Sequence, residues 1–331
     1  MRLTAFQVKE LVKEKLLEYP NIIGVGIGDA TIRIYLEKYD PYLMSELTSI
    51  AGFEVEYVVI GKLKPLSLLE FYPEGLYSHV MFERPILCGA SVGHYKLRGA
   101  GTLGFVVERS SNKFCISCNH VLALASSVSR MLAKIGDPVI APGYIDGGRY
   151  PDNEIGVLKY FKPLGSSRYS DSAYFVPLKS EYVSSEVIDI GKPNGFEEAK
   201  EGERVIKSGR TTGVTHGKVY DVHATVKVDY GYDVFVFDEQ GIILGSFADR
   251  GDSGSAVLND NLNIVGMVFA GSHSAVAFNK VNYVLYDLGI GKGRVPRVEA
   301  IPPGLITVTG SILLSFLSLT FDRVKSYLKK L

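Results

Sequence analysis

The rhythm of apolar and polar positions changes three times along the chain. Ala5, Val8, Leu11, Val12 and Leu16 recur at three- and four-residue steps, which predicts an amphipathic helix over 5–18. Residues 22–28 and 31–36 read as two strands joined at Asp29-Ala30. A second helix is expected over 42–50 and a strand over 55–60. This α-β-β-α-β order describes a small α+β unit, given the bounds 1–84. From 85 to 292 the apolar runs are short and broken by Gly, Asn, Asp and Pro. They lie at 101–107, 114–117, 173–176, 204–207, 217–220, 224–228, 234–237, 256–258 and 264–269. Short strands at such spacing predict an all-β sandwich or barrel.

Residues 293–331 read as a linker and a last helix. The 17 residues 305–321 carry no charge, which is marginal against the roughly 20 that a spanning helix needs. Leu313, Leu317, Phe321, Val324, Leu328 and Leu331 share one helical face. Ser311, Ser315, Ser318, Asp322, Lys325 and Lys329 share the other. An amphipathic helix is expected, docking on the protein, on a partner or on a membrane surface.

Composition narrows the class. Hydrophobic residues are 46% and charged residues 22% of 331, and the basic and acidic totals are both 36. That is an ordinary globular balance, with no global field to attract nucleic acid, so no nucleic-acid partner is expected. The first ten residues lack the apolar core and cleavage site of a secretory leader, and three cysteines do not make a disulfide scaffold. A reducing, cytoplasmic setting is expected, with membrane association only through the last helix. Two glutamines and no tryptophan suggest a thermophilic source. Gly24, Gly26 and Gly28 precede no helix start and no closing Lys-Ser/Thr, so they read as a tightly packed hairpin rather than a phosphate loop.

The candidate chemistry centres on Gly251-Asp252-Ser253-Gly254-Ser255. A serine hydroxyl becomes a useful nucleophile only with a base in reach, an orienting group behind that base, and donors for the oxyanion. Gly251 permits a backbone in which its own N–H and that of Ser253 point into one hole. The apolar runs after the loop form a hairpin that would hold it rigid. A candidate base, His120, follows the strand-like run 114–117 and opens a short Ala/Leu-rich turn. Cys115 and Cys118 could be read as half a metal site, but no second pair exists and Cys88 stands alone. Inert buried thiols are expected, with no metal and no cofactor.

Taken together, these residues resemble the trypsin-like, chymotrypsin-fold serine peptidases. The resemblance rests on 101–107 leading to Asn119-His120-Val121-Leu122-Ala123, on Ser208-Gly209-Arg210-Thr211-Thr212-Gly213, and on 251–255. The small N-terminal unit with its glycine series is similar to a bacterial and archaeal subgroup related to the plant narrow-leaf proteins. The resemblance implies a mainly β fold of two six-stranded antiparallel barrels, spanning about 88–180 and 185–292. It implies an endopeptidase acting on protein or peptide substrates through His120, an aspartate and Ser253, with Gly251 and Ser253 N–H groups binding the oxyanion. Asp171, just before a buried-looking strand and small residues, is the preferred aspartate, ahead of Asp146 and Asp152 in loop sequence. Asp252 is read as structural, since its family equivalent pairs with a buried cation or amine. The pocket strand would be Phe269-Ala270-Gly271, with Phe247 at the pocket base, so preference for Lys or Arg is not expected. His273 reads as a surface residue. Residues 1–84 fit either an accessory domain or a propeptide released near Pro85-Ile86. A scaffold of protease fold with weak catalysis is the competing reading.

Overall fold

Six antiparallel strands between 204 and 280 close into a ring. They are Arg204–Gly209, Gly213–Asp229, Val234–Leu244, Ala256–Asn259, Asn263–Gly271 and Ala275–Lys280, and Arg204–Gly209 meets Gly213–Asp229 to complete the barrel. The computed structural model describes residues 3–66, 68–69, 79–110, 112–290 and 310–328. A second sheet runs in the order Phe105–Arg109, Asn112–Ser117, Ala173–Pro177, Glu154–Phe161, Pro138–Ile140, Ser91–His94, Gly99–Thr102 and Leu68–Leu69. The chain passes from Gly99–Thr102 near one edge to Phe105–Arg109 at the other, so this sheet curls on itself. The fold is mainly β, as the short apolar runs predict. The run 101–107 becomes two strands, bent at Leu103 and Gly104, where a Cβ on Gly104 would strike the Gly254 carbonyl. Conversely, 217–220 and 224–228 belong to one strand, because its inward positions stay buried on both sides of residues 221–223.

That strand, Gly213–Asp229, is longer than its barrel neighbour. Its pairing with Arg204–Gly209 ends at Lys218, and beyond that its edge is covered by Ile22–Ile27 at Gly24 and Val25. Thr31–Leu36 pairs with Ile22–Ile27, and Phe53–Val59 adds in parallel. The sheet of the N-terminal unit is thus continuous with the barrel, and a free edge is removed. The glycine series serves this approach: a Cβ on Gly26 would overlap the Asp221 carboxylate, which accepts a 2.6 Å hydrogen bond from Tyr35 Oη. The second helix stops at Glu46, short of the expected 50, because Ser49–Ile50 turns back through Ala51 and Gly52, both at positive φ, to pair with Phe53 and Glu54.

The last helix, Ser311–Leu328, lays Leu313, Leu317, Phe321 and Val324 into a cluster with Val8, Val12 and Leu16 of helix Ala5–Leu17. Phe321 stacks on Tyr19 with ring centroids 5.1 Å apart. Four residues of the apolar face read from the sequence therefore meet the N-terminal unit; Leu331 and the Leu328 side chain lie outside what is described. Ile312, Phe316 and Leu319 point outward and are exposed. Among the described residues no helix is long and apolar enough to cross a membrane.

Charges seal the seam between the first helix and the barrel. Lys9 Nζ lies 3.0 Å from Glu239, which also meets His223 Nδ1 at 2.7 Å and Lys280 Nζ at 3.4 Å. Burial alone would raise the Glu239 carboxyl, but the His223 hydrogen bond and the Lys9 and Lys280 charges outweigh it and hold it well below 4.5. A carboxyl whose folded pKa is depressed adds stability above its unfolded value, and that stability is lost as pH falls. Glu239→Gln should cost about 3–5 kcal/mol at neutral pH, by leaving the buried Lys280 ammonium without a carboxylate and Lys9 with Glu10 alone at 3.4 Å. The gap to wild type should narrow below pH 4.5 in urea unfolding; a gap independent of pH would contradict the role given to this carboxylate.

Candidate active site

His120 is the second residue of the single-turn helix Asn119–Leu122, which follows strand Asn112–Ser117 after Cys118. Its backbone N–H donates to Asp171 Oδ1 at 3.1 Å, and its ring Nδ1 lies 2.5 Å from Asp171 Oδ2. With a proton on Nδ1, the other ring nitrogen is an acceptor. His120 Nε2 is buried and has no hydrogen-bond partner among the described residues. Asp171 stands two residues before strand Ala173–Pro177 and is wholly buried. Its Oδ2 also accepts from Tyr230 Oη at 2.5 Å, and its N–H donates to Asn279 Oδ1 at 3.1 Å. Burial, with the nearby Asp171 charge, pushes the Tyr230 hydroxyl well above its ordinary range, so it remains a donor. Gln240 Oε1 accepts from Asn279 Nδ2 at 2.7 Å and fixes that amide. The carboxylate is thus held from three directions.

Gly251 takes φ +102°, and a Cβ there would strike Thr211 Oγ1, so the loop needs glycine at this point. Ser253 Oγ donates to the Phe269 carbonyl at 3.1 Å rather than to His120. The Gly251 N–H donates to the Leu66 carbonyl at 2.6 Å. Between these two residues, Asp252 is wholly buried. It accepts from the N–H groups of Thr211 at 2.8 Å and Asp249 at 3.0 Å, and from Thr212 Oγ1 at 2.6 Å. Lys207 Nζ lies 3.4 Å from its carboxylate, and both side chains are fully buried. One ion pair therefore ties the Arg-Thr-Thr-Gly hairpin to the serine loop.

Asp146 and Asp152, the other two aspartates weighed, lie elsewhere. Asp146 accepts from Arg210 Nε at 2.9 Å and Ser91 Oγ at 2.5 Å, while Asp152 is exposed in a loop. Phe269, Ala270 and Gly271 end strand Asn263–Gly271 and are buried, as is Phe247, whose ring lies 6.0 Å from Lys207 Nζ. His273 is exposed. Tyr230 and Lys207 were not anticipated. Tyr230 sits in a Gly-Asp turn that reads as surface; Lys207 gave one signal, a charge directly after apolar Val205 and Ile206.

Cys88, Cys115 and Cys118 are free and buried. Burial raises all three thiols, that of Cys88 to about 12. Cys118, His120 and Asp171 bring one ligand atom each within 4.8 Å of one another. Holding a metal there would require breaking the His120–Asp171 bond and ionising a thiol that donates to the Val268 carbonyl at 3.3 Å. The donor set does not fit that use.

Two curled antiparallel sheets, with a histidine–aspartate pair on one and a Gly-Asp-Ser-Gly loop on the other, make up a mainly β fold of the chymotrypsin type. Among solved structures the chain is similar to Thermobifida fusca protease A, at 18% identity and TM-score 0.44, over 62% of this chain and 96% of that one. It is similar to a glutamic acid specific serine protease at 18% identity and TM-score 0.45, over 62% and 98%. It is also similar to Cellulomonas bogoriensis chymotrypsin at 19% identity and TM-score 0.41, over 61% and 95%. No family model and no curated protein matches the chain. Likeness of this degree says nothing of chemistry, which the side chains themselves have to carry.

Lys207→Met should destabilise the fold by about 3–5 kcal/mol, since Asp252 would keep its charge and its burial but lose its cation. Denaturant unfolding measures this; a loss under 1 kcal/mol would mean that the hydrogen bonds to Asp252 suffice alone.

Proposed function

We propose that the protein is a serine endopeptidase working through an acyl-enzyme. The observation that carries this reading is the buried His120–Asp171 pair, with a 2.5 Å bond on Nδ1 and an unpartnered Nε2. Ser253 Oγ would swing from the Phe269 carbonyl to His120 Nε2, lose its proton there and attack the scissile carbonyl. His120 then returns the proton to the leaving amine, and water repeats the sequence to release the acyl group. Asp171 holds the imidazole tautomer, with Tyr230 and Asn279 holding Asp171. The N–H groups of Gly251 and Ser253 serve the oxyanion. Phe247, Phe269, Ala270 and Gly271 form the primary pocket, an apolar one that takes protein or peptide substrates. No metal or organic cofactor enters this chemistry.

One observation favours the competing reading, a binding scaffold: Ser253 is bonded to Phe269 and not to His120. Covalent labelling separates the two. A fluorophosphonate should label wild type and leave Ser253→Ala unlabelled. Asp171→Asn should slow labelling by about 10⁴-fold, because the imidazole would take the wrong tautomer. Equal labelling of wild type and Ser253→Ala would remove Ser253 from the mechanism, and absence of labelling in wild type would favour the scaffold.

A further inference from the structure

The cleft in which Ser253 lies is filled by the protein's own chain. Ser253 is 0% and His120 3% exposed. The segment leaving the N-terminal unit runs beside the serine loop, bonded to Gly251 and to the strand that ends at Gly271, in a backbone pattern suited to a peptide about to be cut. Lys64 and Pro65 pair antiparallel with Gly271 and Ala270. The Leu66 N–H donates to the Phe269 carbonyl at 3.2 Å, and the Leu66 carbonyl accepts from the Gly251 N–H at 2.6 Å. The carbonyl thus takes up one of the two N–H groups assigned to the oxyanion. Leu68 and Leu69 pair antiparallel with Ala100 and Gly99 of the other sheet. Main-chain pairing therefore holds the segment on both sides of the bond that follows Leu66, one side on each sheet. The Leu66 side chain is 6% exposed and belongs to the apolar cluster of Phe247, Val268 and Val276. A Cβ on Gly271 would press on its methyl groups at 3.1 and 3.2 Å, so the glycine leaves room for this side chain.

We infer that Leu66 is the protein's own specificity residue and that Ser253 cleaves the Leu66–Ser67 bond within the same molecule. The inference rests on the serine-peptidase reading and adds to it a cleavage site and a substrate class, chains with leucine before the scissile bond. Ser253 Oγ bonds to the Leu66 carbonyl carbon and its proton passes to His120. The bond to the Ser67 nitrogen breaks and that nitrogen takes the proton. Water then hydrolyses the Leu66 ester, giving a Leu66 carboxylate and restoring Ser253. This places the cut ahead of Pro85-Ile86, where Ile86 is buried and paired with Val183. Because Ile22–Ile27 stays hydrogen-bonded to the barrel strand, the two pieces remain together until denatured.

The test is intact mass and N-terminal sequencing of the full chain, with fluorophosphonate labelling of the same samples. Wild type should yield a piece beginning at Ser67, at a rate unchanged by 100-fold dilution, and Ser253→Ala should stay whole. Leu66→Asp should stay whole yet still be labelled, while Leu66→Met should be cut. An Ala-Ala-Pro-Leu anilide should be turned over at least about 100-fold faster in kcat/KM than its Ala-Ala-Pro-Asp counterpart, since a carboxylate finds no partner in an apolar pocket. Wild type that is labelled but uncut, or cut elsewhere, overturns this inference and spares the serine-peptidase reading. A chain neither labelled nor cut overturns both, and preference for the aspartyl anilide overturns the pocket assignment.

Discussion

A barrel strand that outruns its neighbour has to do something with its spare edge. Gly213–Asp229 solves this in a way that organises the molecule. Its first residues close the barrel against Arg204–Gly209, and its later ones carry the N-terminal sheet through Gly24 and Val25. The two ends of the same strand reach the chemistry. Thr211 and Thr212, just before it, donate to Asp252 beside Ser253, and Tyr230, just after it, donates to Asp171 beside His120. Open backbone edges invite pairing with other chains, so covering this one with a domain is a stabilising choice. It also fixes where the chain leaving that domain must run.

The same region buries several charges that a core built only for stability would not contain. Lys207–Asp252 and Arg210–Asp146 are both wholly or nearly buried, and both link segments far apart in sequence. Taking such pairs out of water costs about as much as their attraction returns, so their value is geometric. A carboxylate that accepts from the Thr211, Thr212 and Asp249 N–H groups at once dictates the path of the loop on either side of it. Apolar packing in the same place would tolerate sliding. On the proposed mechanism such a loop cannot slide, because stabilising a developing charge depends on N–H donors already in position.

Much of this was legible in the sequence, and what was not follows a pattern. His120 follows an apolar run, Asp171 and Ser253 each stand among small or polar residues just before one, and local patterning plus resemblance singled them out. The mainly β class followed from run length and spacing. The parts that escaped depend on partners distant in the chain. Tyr230 lies in a turn whose composition speaks only of turning, and its role comes from 59 residues away. Nothing near 64–69 distinguishes Lys-Pro-Leu-Ser-Leu-Leu from a linker, since its pairing partners are Ala270, Gly271, Gly99 and Ala100. Strand ends were misjudged for a related reason. Gly213–Asp229 runs on through polar Asp221 and His223 because tertiary partners, Tyr35 and Glu239, satisfy those side chains.

The position of Ser253 follows from the same geometry. Its hydroxyl shares the Phe269 carbonyl with the Leu66 N–H, so the turned-away serine and the occupied cleft are two aspects of one arrangement. A segment tethered at both ends pays little entropy to be there: the N-terminal sheet anchors one side and pairing with Gly99 and Ala100 the other. For such a segment the effective concentration is set by the tether rather than by solution, so even a weak pocket stays filled. Pro65 reinforces this, because a fixed φ lowers the cost of ordering an extended strand while its missing N–H costs only one ladder bond. A peptide from outside has neither advantage. It must displace Leu66 from an apolar cluster and recover the Gly251 N–H, so under the proposed function access to the cleft, more than the alignment of His120 and Asp171, is the step that governs action on another chain.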